Sequence, residues 1–568
     1  MGHRGIVNSR QFLWLNPSDN DIYEPDMFGE PIFLAANRIL KAVENHEKVM
    51  ILQDCDADGV FSAAITYNLL YNIGVKQIGY IIHAGKAHGL ADIDLDDVIS
   101  AHYTLFIVPD AGSNDYEQHK YLKEHGVDVI IADHHLADKV SEDAIVVNNQ
   151  LCDYPDKNLS GAGVMWQLAR LTMRLSDRTF DPYDMIDICA LGNLSDMMDY
   201  RNQEIRAIVK KGLSPQYFKA PFLQELAKKN NYSMEKMGGI NYHSCAFYIT
   251  PFINAVCRSG TLDEKDLLLR SLLRPFQFER VPSSKRGEKG VEVPCYVEAV
   301  TMVQRVKRRQ TDFQDSSMKV LEDEIKENNL AENAVIVLVN DPGVCEQNLQ
   351  GLVANKIQSK YQRATLVLTR RFDSELDTDV CAGSLRNYSQ SSVDNFKQVC
   401  DNTGYPLFTA GHENACGIAL KEEDIPAFVK AVNEQYKNVD LTPCYWVDYI
   451  WDASRNEIDR DAILEISNME EVWGQDMPES LVAVTNIELS ESNVTLLSPD
   501  KHPTIKINCD GVELIKFGSS EEEYEKLISG EEGNCIRVVG TPAKNEWMGN
   551  VTPQIKIQEY ELYDYWRF

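Results

Sequence analysis

The sequence lacks several features that would place the protein in a special class. None of its 13 cysteines forms a CxxC pair, and several, such as Cys189 and Cys381, lie inside apolar segments. No apolar run approaches the roughly 18–20 residues that cross a bilayer, and the polar start MGHRGIVNSRQ lacks the apolar core of a signal peptide. We therefore expect a cytoplasmic protein without membrane contact. Its cysteines are predicted to be reduced packing residues rather than disulfide or zinc ligands.

Positive charge is also scarce. The chain has 56 Lys and Arg against 87 Asp and Glu, a formal net charge of −31, whereas most nucleic-acid-binding proteins carry a basic face. Residues 258–309 are the exception, with 12 Lys and Arg against 7 Asp and Glu, ending in the cluster Arg305, Lys307, Arg308 and Arg309. Local charge therefore leaves nucleic-acid binding open, although a solvated helix face explains the cluster equally well.

The 568 residues are too many for one hydrophobic core, and 44% hydrophobic and 25% charged residues are typical of a soluble globular protein. We predict an α/β multidomain fold. Its parts are an N-terminal segment (1–45), a parallel-sheet catalytic domain (46–225), a helical region with a long connecting helix (226–332), a second, smaller α/β domain (333–440), a linker (441–477) and a C-terminal β-barrel of the OB-fold type (478–568).

Sequence patterns carry these assignments. Between about 48 and 148, continuous apolar runs alternate with helical stretches, which is typical of a parallel sheet covered on both faces. The strand–helix–strand pattern returns at 334–369. From about 481 onward, five or six short alternating strands follow one another, as in a small barrel.

Acidic residues follow three of the apolar runs in the first domain. Because the carboxyl ends of parallel strands meet at one edge of a sheet, these side chains are expected to line one crevice. They are Asp54, Asp56 and Asp58 after KVMIL, Asp110 after TLFIVP, and Asp133, His134 and His135 after VDVIIA. So many carboxylates would repel one another unless cations hold them. Oxygen ligands with one imidazole and no thiolate favour Mn²⁺, with Mg²⁺ as a substitute, over zinc.

These segments resemble a known family. QDCDADG, VPDAG, IIADHH and ALGNLSDMMD are similar, in order and spacing, to the four acidic motifs of the DHH phosphoesterases. The resemblance implies that Asp56 and Asp58 bind separate metals, that Asp110 bridges two ions, and that His134 binds one ion and Asp196 the other. It also implies that His135 contacts the scissile phosphate or leaving oxygen, with Asp54 and Asp133 supporting the ligands. Leu52 stands where many members have a histidine.

Later segments resemble the RecJ-type exonucleases within that superfamily. The resemblance implies that the second domain is a DHH-associated domain and that several residues bind substrate. These are Asn254 and Arg258 in ITPFINAVCRSG, Gln347 in DPGVCEQNLQG, Ser384 and Arg386 in CAGSLRN, His412 in TAGHENACG, and Trp547 in AKNEWMGN. Ala410 replaces the usual first glycine of the glycine–histidine motif. An Arg fork beside a hydroxyl suits a terminal phosphate.

The resemblance implies a 5′→3′ exonuclease that degrades single-stranded DNA to mononucleotides with two Mn²⁺ ions. We further expect a monomer that works with a single-stranded-DNA-binding protein or a helicase. Two alternatives stay open at this stage. One is a DHH phosphodiesterase acting on short oligonucleotides or cyclic dinucleotides, and the other is a non-catalytic relative that binds DNA or a replication partner.

Overall fold

The computed structural model describes residues 14–83, 85, 88–373 and 378–564. Three large sheets, each with its own core, organise this part of the chain. None of its helices combines the length and apolar character that crossing a bilayer requires. All 13 cysteines lie within these ranges, none forms a disulfide, and nine are buried.

The first sheet is parallel throughout and carries the acidic motifs. Its elements are α1 (Glu30–Glu44), β1 (Lys48–Gln53), α2 (Ala57–Ile73), β2 (Gln77–Ile82), α3 (Leu95–Ser100), β3 (Leu105–Pro109), α4 (Tyr116–Glu124), β4 (Asp128–Asp133), β5 (Ile145–Asn148), α5 (Gly161–Leu175) and α6 (Ile186–Ser195). The strand order is β2-β1-β3-β4-β5. The strands β1, β3 and β4 are almost wholly buried, because separate apolar cores cover the two faces of the sheet. The predicted parallel α/β fold is confirmed.

A helical region follows and leads into one long helix. It comprises α7 (Gln203–Gly212), α8 (Pro221–Lys229), α9 (Asn231–Glu235), α10 (Tyr242–Tyr248), α11 (Thr250–Ser259), α12 (Leu262–Leu272), the short strands β6 (Arg280–Pro282) and β7 (Glu292–Pro294), and α13 (Cys295–Glu327). The 33-residue α13 begins among the core residues of the first domain and ends against those of the second. It is the predicted connecting helix.

The second domain is built on a mixed sheet. Its elements are β8 (Val335–Asn340), α14 (Gln350–Tyr361), β9 (Ala364–Asp373), β10 (Thr378–Arg386), α15 (Phe396–Asn402), β11 (Phe408–His412), β12 (Ala415–Lys421) and α16 (Ile425–Gln435). The order is β11-β12-β10-β9-β8, and only β8 and β9 run parallel. The strand–helix–strand pattern predicted at 334–369 is β8, α14 and β9.

The C-terminal part forms a seven-stranded sheet. Its elements are β13 (Tyr449–Asp452), α17 (Arg460–Ser467), β14 (Val482–Glu488), β15 (Val494–Leu497), β16 (Thr504–Cys509), β17 (Val512–Phe517), α18 (Glu521–Ser529), β18 (Cys535–Trp547) and β19 (Asn550–Tyr563), with the strands in the order β13-β14-β18-β19-β17-β16-β15. The sheet begins before the predicted start at residue 478. The predicted linker at 441–477 contains β13 and α17, because Trp451, Ile458 and Ile463 bury their apolar side chains in the core of this sheet.

Candidate metal centre

The first two carboxylates of the site lie where β1 passes into α2. Asp56 is the N-cap of α2, and its carboxylate accepts a hydrogen bond from the Gly59 N–H at 3.0 Å. Asp58 lies in the first turn of the helix, where a negative side chain is favoured by the helix dipole. Its carboxylate accepts hydrogen bonds from the Ser160 hydroxyl at 3.1 Å and from the Ala162 N–H at 3.3 Å. The start of α5 therefore holds Asp58 in place.

Asp110 follows β3 and has an unusual backbone conformation. Its φ of +65° is in the left-handed region that non-glycine residues rarely adopt. The residue stays in this position because its N–H continues the sheet, donating to Ala132 O at 2.8 Å. Gly161, at the start of α5, lies directly against it, since a Cβ at position 161 would be 2.3 Å from Asp110 Oδ1. Backbone strain at a carboxylate is typical of a functional site.

His134 brings the carboxylates of different elements together. Its Nε2 lies 3.3 Å from Asp110 Oδ1 and 3.3 Å from Oδ2 of Asp196, the residue that caps the end of α6. Two atoms that bind the same cation at right angles, with bonds of about 2.1 Å, lie about 3.0 Å apart. The two distances of 3.3 Å are close to this value. Among the groups of side chains with metal-ligand spacing in the described residues, two hold most of the predicted ligands, namely Asp58, His134 and Asp196, and Asp54, Asp56 and Asp110.

The unpaired buried atoms and the shifted pKa values of the centre are those expected of a cation-binding site. Asp110 Oδ1 and His134 Nε2 are buried and form no hydrogen bond within the described residues. Burial and then the negative charge of the neighbouring carboxylates raise the pKa of Asp58 to about 7 and that of Asp196 to about 8, and raise the pKa of Asp110 well above its ordinary value. Burial and the neighbouring His135 lower the pKa of His134 to about 4, which leaves the neutral imidazole that ligates metal. Bound cations would relieve the repulsion and partner the orphaned atoms.

His135 lies at the open side of the centre. Its Nδ1 donates to Asp133 Oδ1 at 2.8 Å, and the Asp133 carboxylate also accepts the N–H groups of His134 and Ser113. This hydrogen bond raises the pKa of His135 to about 9, so the imidazole is protonated at neutral pH. Asp133 is buried, whereas the His135 side chain is 55% exposed, so the ring is accessible to solvent.

A second, cationic site lies in the second domain. A pocket of about 320 Å³ is lined by Ser384 and Arg386 of β10 and by Gln347 from the loop before α14. Gly351 leaves room for the guanidinium, because a Cβ there would lie 2.5 Å from Arg386 Nη2. Burial and then the positive charge of Arg258 lower the pKa of Arg386. Arg258, at the end of α11, therefore extends this positive region towards the first domain.

The remaining predicted residues occupy several places. Asn254 lies one helical turn before Arg258 on α11 and is half-buried. Ala410 lines the pocket and His412 is exposed at the end of β11, with Gly411 between them at a φ of +122° that favours glycine. Trp547 is 69% exposed at the turn between β18 and β19, far along the chain from the centre. Their predicted roles stay predictions.

Leu52 occupies the position, four residues before Asp56, at which many DHH phosphoesterases have a histidine. The leucine is fully buried in β1 and packs in an apolar cluster with residues of β3 and β4, including Phe106 and Val129. A polar imidazole at this position would replace a core side chain, so the centre relies on its other ligands.

Sequence reasoning missed one imidazole beside the centre. His88 Nδ1 lies 2.7 Å from Oδ2 of the buried Asp54, and His88 also approaches Cys55. The hydrogen bond to Asp54, and next the Cys55 thiol, raise the pKa of His88 to about 11, so its ring is strongly basic. Nothing in the spacing of His88, 34 residues after Asp54, marks it as a partner of that carboxylate.

Known families match both ends of this architecture. The model for the DHH family, N-terminal domain, matches residues 48–193, which contain all the ligand residues except Asp196. The model for the RecJ OB domain matches residues 451–559, which include β13 of the C-terminal sheet. The chain thus combines a DHH catalytic domain with a RecJ-type C-terminal domain.

The relatives extend over the whole chain. The prophage-derived single-strand DNA-specific exonuclease YorK of Bacillus subtilis (strain 168) is 32% identical over 99% of this chain and 95% of its own length. The single-stranded-DNA-specific exonuclease RecJ of the same organism is 28% identical over 97% of this chain and 66% of its own length. The crystal structure of RecJ in complex with Mn²⁺ from Thermus thermophilus has the same fold, with a TM-score of 0.72 at 21% identity, covering 99% of this chain and 76% of that one. The chain belongs to the RecJ family of the DHH superfamily.

Proposed function

We propose that the protein is a metal-dependent exonuclease that hydrolyses single-stranded DNA in the 5′→3′ direction to mononucleotides. The observation that carries this proposal is the pair of ligand sets that meet at Asp110 and His134. The relatives YorK and RecJ, whose names describe single-strand DNA-specific exonucleases, support the choice of substrate. The complete set of acidic residues argues against a non-catalytic protein.

The chain's own residues would hold two cations. Asp58, His134 and Asp196 have the spacing to share one ion, although the family resemblance assigned His134 and Asp196 to different ions. Asp56 belongs to the other set, and Asp110 would stand between the two ions. Oxygen ligands with a single imidazole favour Mn²⁺, and Mg²⁺ would substitute. When bound, such a pair supplies an activated water and neutralises charge on the phosphodiester.

Two cationic groups would act on the substrate itself. His135, held by Asp133 and protonated at neutral pH, would stabilise the departing oxygen. Arg386 and Ser384 would bind a terminal phosphate, because the planar guanidinium can hold two phosphate oxygens while the hydroxyl donates to a third. Recognition of one terminal phosphate gives the enzyme a direction along the strand.

The test is digestion of single-stranded DNA labelled at either end, in Mn²⁺. We expect release of the 5′ label as a mononucleotide before the 3′ label, and no release in EDTA or with Asp110→Asn. Asp128→Asn is the matched control, because Asp128 is a solvent-facing carboxylate at the other end of β4, paired with Arg38. It should digest DNA like the wild type.

Two outcomes would contradict the proposal. Earlier loss of the 3′ label would reverse the direction. Intact DNA together with rapid hydrolysis of dinucleotides would move the assignment to a DHH phosphodiesterase of short substrates. A monomeric enzyme that cooperates with a single-stranded-DNA-binding protein or helicase remains part of the proposal, and gel filtration with and without these partners checks it.

A further inference from the structure

The pocket around Ser384 and Arg386 has an aromatic wall. Phe408 of β11 lines this pocket together with the serine and the arginine. The phenylalanine is 46% exposed, although the strand that carries it is paired with β12 along its whole length. Its ring therefore has free surface at the pocket, where a flat ligand group can stack on it.

The register of the sheet places the ring on the same face as the phosphate-binding residues. Residues directly opposite each other in an antiparallel pair share a face. Phe408 lies opposite Ala419 of β12, which in turn lies opposite Ala382 of β10. Ser384 and Arg386 follow Ala382 at alternate positions of β10, and alternate residues of a strand point to one face. The phenylalanine, the serine and the arginine therefore point to one face of the sheet.

Small residues keep the surface between the ring and the phosphate-binding residues open. Gly417 of β12 lies directly opposite Ser384 on one side and Ala410 on the other. A Cβ at position 417 would lie 4.0 Å from Phe408 Cε2, so the ring extends along the sheet towards the glycine. Because neighbouring strands are about 4.8 Å apart, the edge of the ring lies roughly one strand away from Ser384. The sugar of a nucleotide can span such a distance between its phosphate and its base.

An aromatic ring beside a phosphate site suits a nucleobase. Every base has a π-face that stacks on an aromatic side chain whatever its identity, and a pocket of about 320 Å³ is within the roughly 300–1,000 Å³ of small-molecule sites. We propose that Phe408 forms a base-stacking subsite, so that the pocket binds a whole 5′-nucleotide, with the phosphate on Ser384 and Arg386 and the base on the Phe408 ring. This inference rests on the proposed function, because the 5′-terminal nucleotide of a single strand carries both groups.

The test compares two ligands that differ only in the base, thymidine 5′-monophosphate and deoxyribose 5-phosphate. Their binding to the full-length chain is measured by isothermal titration calorimetry in EDTA. We expect the wild type to bind the nucleotide more tightly than the sugar phosphate. Phe408→Ala should weaken nucleotide binding by about 5- to 150-fold, the usual cost of losing one base–aromatic stack, and should leave the sugar phosphate unchanged. Phe408→Trp should keep the nucleotide affinity, and Arg386→Ala should weaken the binding of both ligands.

Phe372→Ala is the matched control, and it should bind both ligands like the wild type. Phe372 is another exposed phenylalanine of the second domain, but it follows Arg371, which lines the pocket, and so points to the opposite face of β9. EDTA strips the metal centre, so the result is independent of whether the protein cleaves DNA, which digestion of end-labelled strands tests separately. Equal affinity of the wild type for the two ligands, or normal nucleotide binding by Phe408→Ala with an intact circular dichroism spectrum, would overturn the proposal.

Discussion

Replacement of Gly161 by alanine should damage the metal centre without touching any ligand. The added methyl group would lie 2.3 Å from Asp110 Oδ1 and 2.5 Å from Asp110 Cβ. Ordinary contact between carbon atoms is about 3.5 Å, so the two residues must move apart by about 1 Å. Gly161 has no positive φ, so alanine fits its backbone conformation and the collision is the only penalty.

The expected magnitudes follow from that displacement. Overpacking of a dense core costs about 1–3 kcal/mol of unfolding free energy. A 1 Å displacement of a positioning group costs about 100-fold in rate. We therefore expect Gly161→Ala to fold, to need more Mn²⁺ for half-maximal activity, and to lose about two orders of magnitude in kcat on single-stranded DNA.

The measurement is the initial rate of DNA digestion as a function of Mn²⁺ concentration, with thermal unfolding of the same samples. Gly163→Ala is the control on the same helix, because its methyl group would crowd the buried Leu159 side chain at 2.4 Å instead of a metal ligand. The control should also be destabilised by overpacking, but its Mn²⁺ dependence should be normal. Equal activity of Gly161→Ala and the wild type would refute the assigned position of Asp110 in the centre.

Three further predictions concern the phosphate pocket, a buried acid and the metal. Arg386→Ala should raise KM for 5′-phosphorylated DNA by about 10- to 100-fold, which is the energy of a hydrogen bond to a charged group. The KM for DNA without the 5′ phosphate should change little. An equal rise in KM for both substrates would show that the Arg386 pocket does not bind the terminal phosphate. Burial, and next the charge of Asp156, raise the pKa of Glu204 to about 8, so the stability from its bound proton is fully present below pH 4.5 and is lost as the pH rises through about 8. Glu204→Gln should therefore flatten the fall of the unfolding midpoint between about pH 4.5 and 8. An unchanged pH profile would exclude the ionisation of Glu204 as its cause. Mn²⁺ at a hundredfold excess over its Kd should stabilise the wild type by about 2.7 kcal/mol. It should stabilise the Asp110→Asn variant much less, as measured by thermal shift. An equal shift in both proteins would show that Asp110 does not bind the ion.

Much of the fold could be predicted because its signals are local. The strands β1, β3 and β4 are continuous apolar runs, and each leads directly into an acidic residue, namely Asp54, Asp110 or Asp133. β13 was missed because a four-residue edge strand has too few positions to show a period. Its Trp451 pairs with Val484 of β14 and lies in the core of the C-terminal sheet.

The site could be predicted only where ligands follow strands. Asp110 and His134 come directly after apolar strands, so topology alone brings them to the same edge. The glycines that make room for the ligands give no such signal. A glycine at the start of a helix has many explanations, and only the structure shows that Gly161 faces Asp110 and that Gly192 faces Asp58 at 2.4 Å from its would-be Cβ.

The two Asp–His pairs show how similar local chemistry can arise from different sequence distances. Asp133 holds the ring of His135, two residues away, and Asp54 holds the ring of His88, 34 residues away. Both carboxylates are buried at strand ends and accept a hydrogen bond from Nδ1, and both imidazole side chains are more than half exposed. What differs is the neighbour, because His135 lies beside the oxygen ligands and His88 beside a thiol. The atoms around each ring, rather than the Asp–His hydrogen bond, therefore distinguish the two histidines.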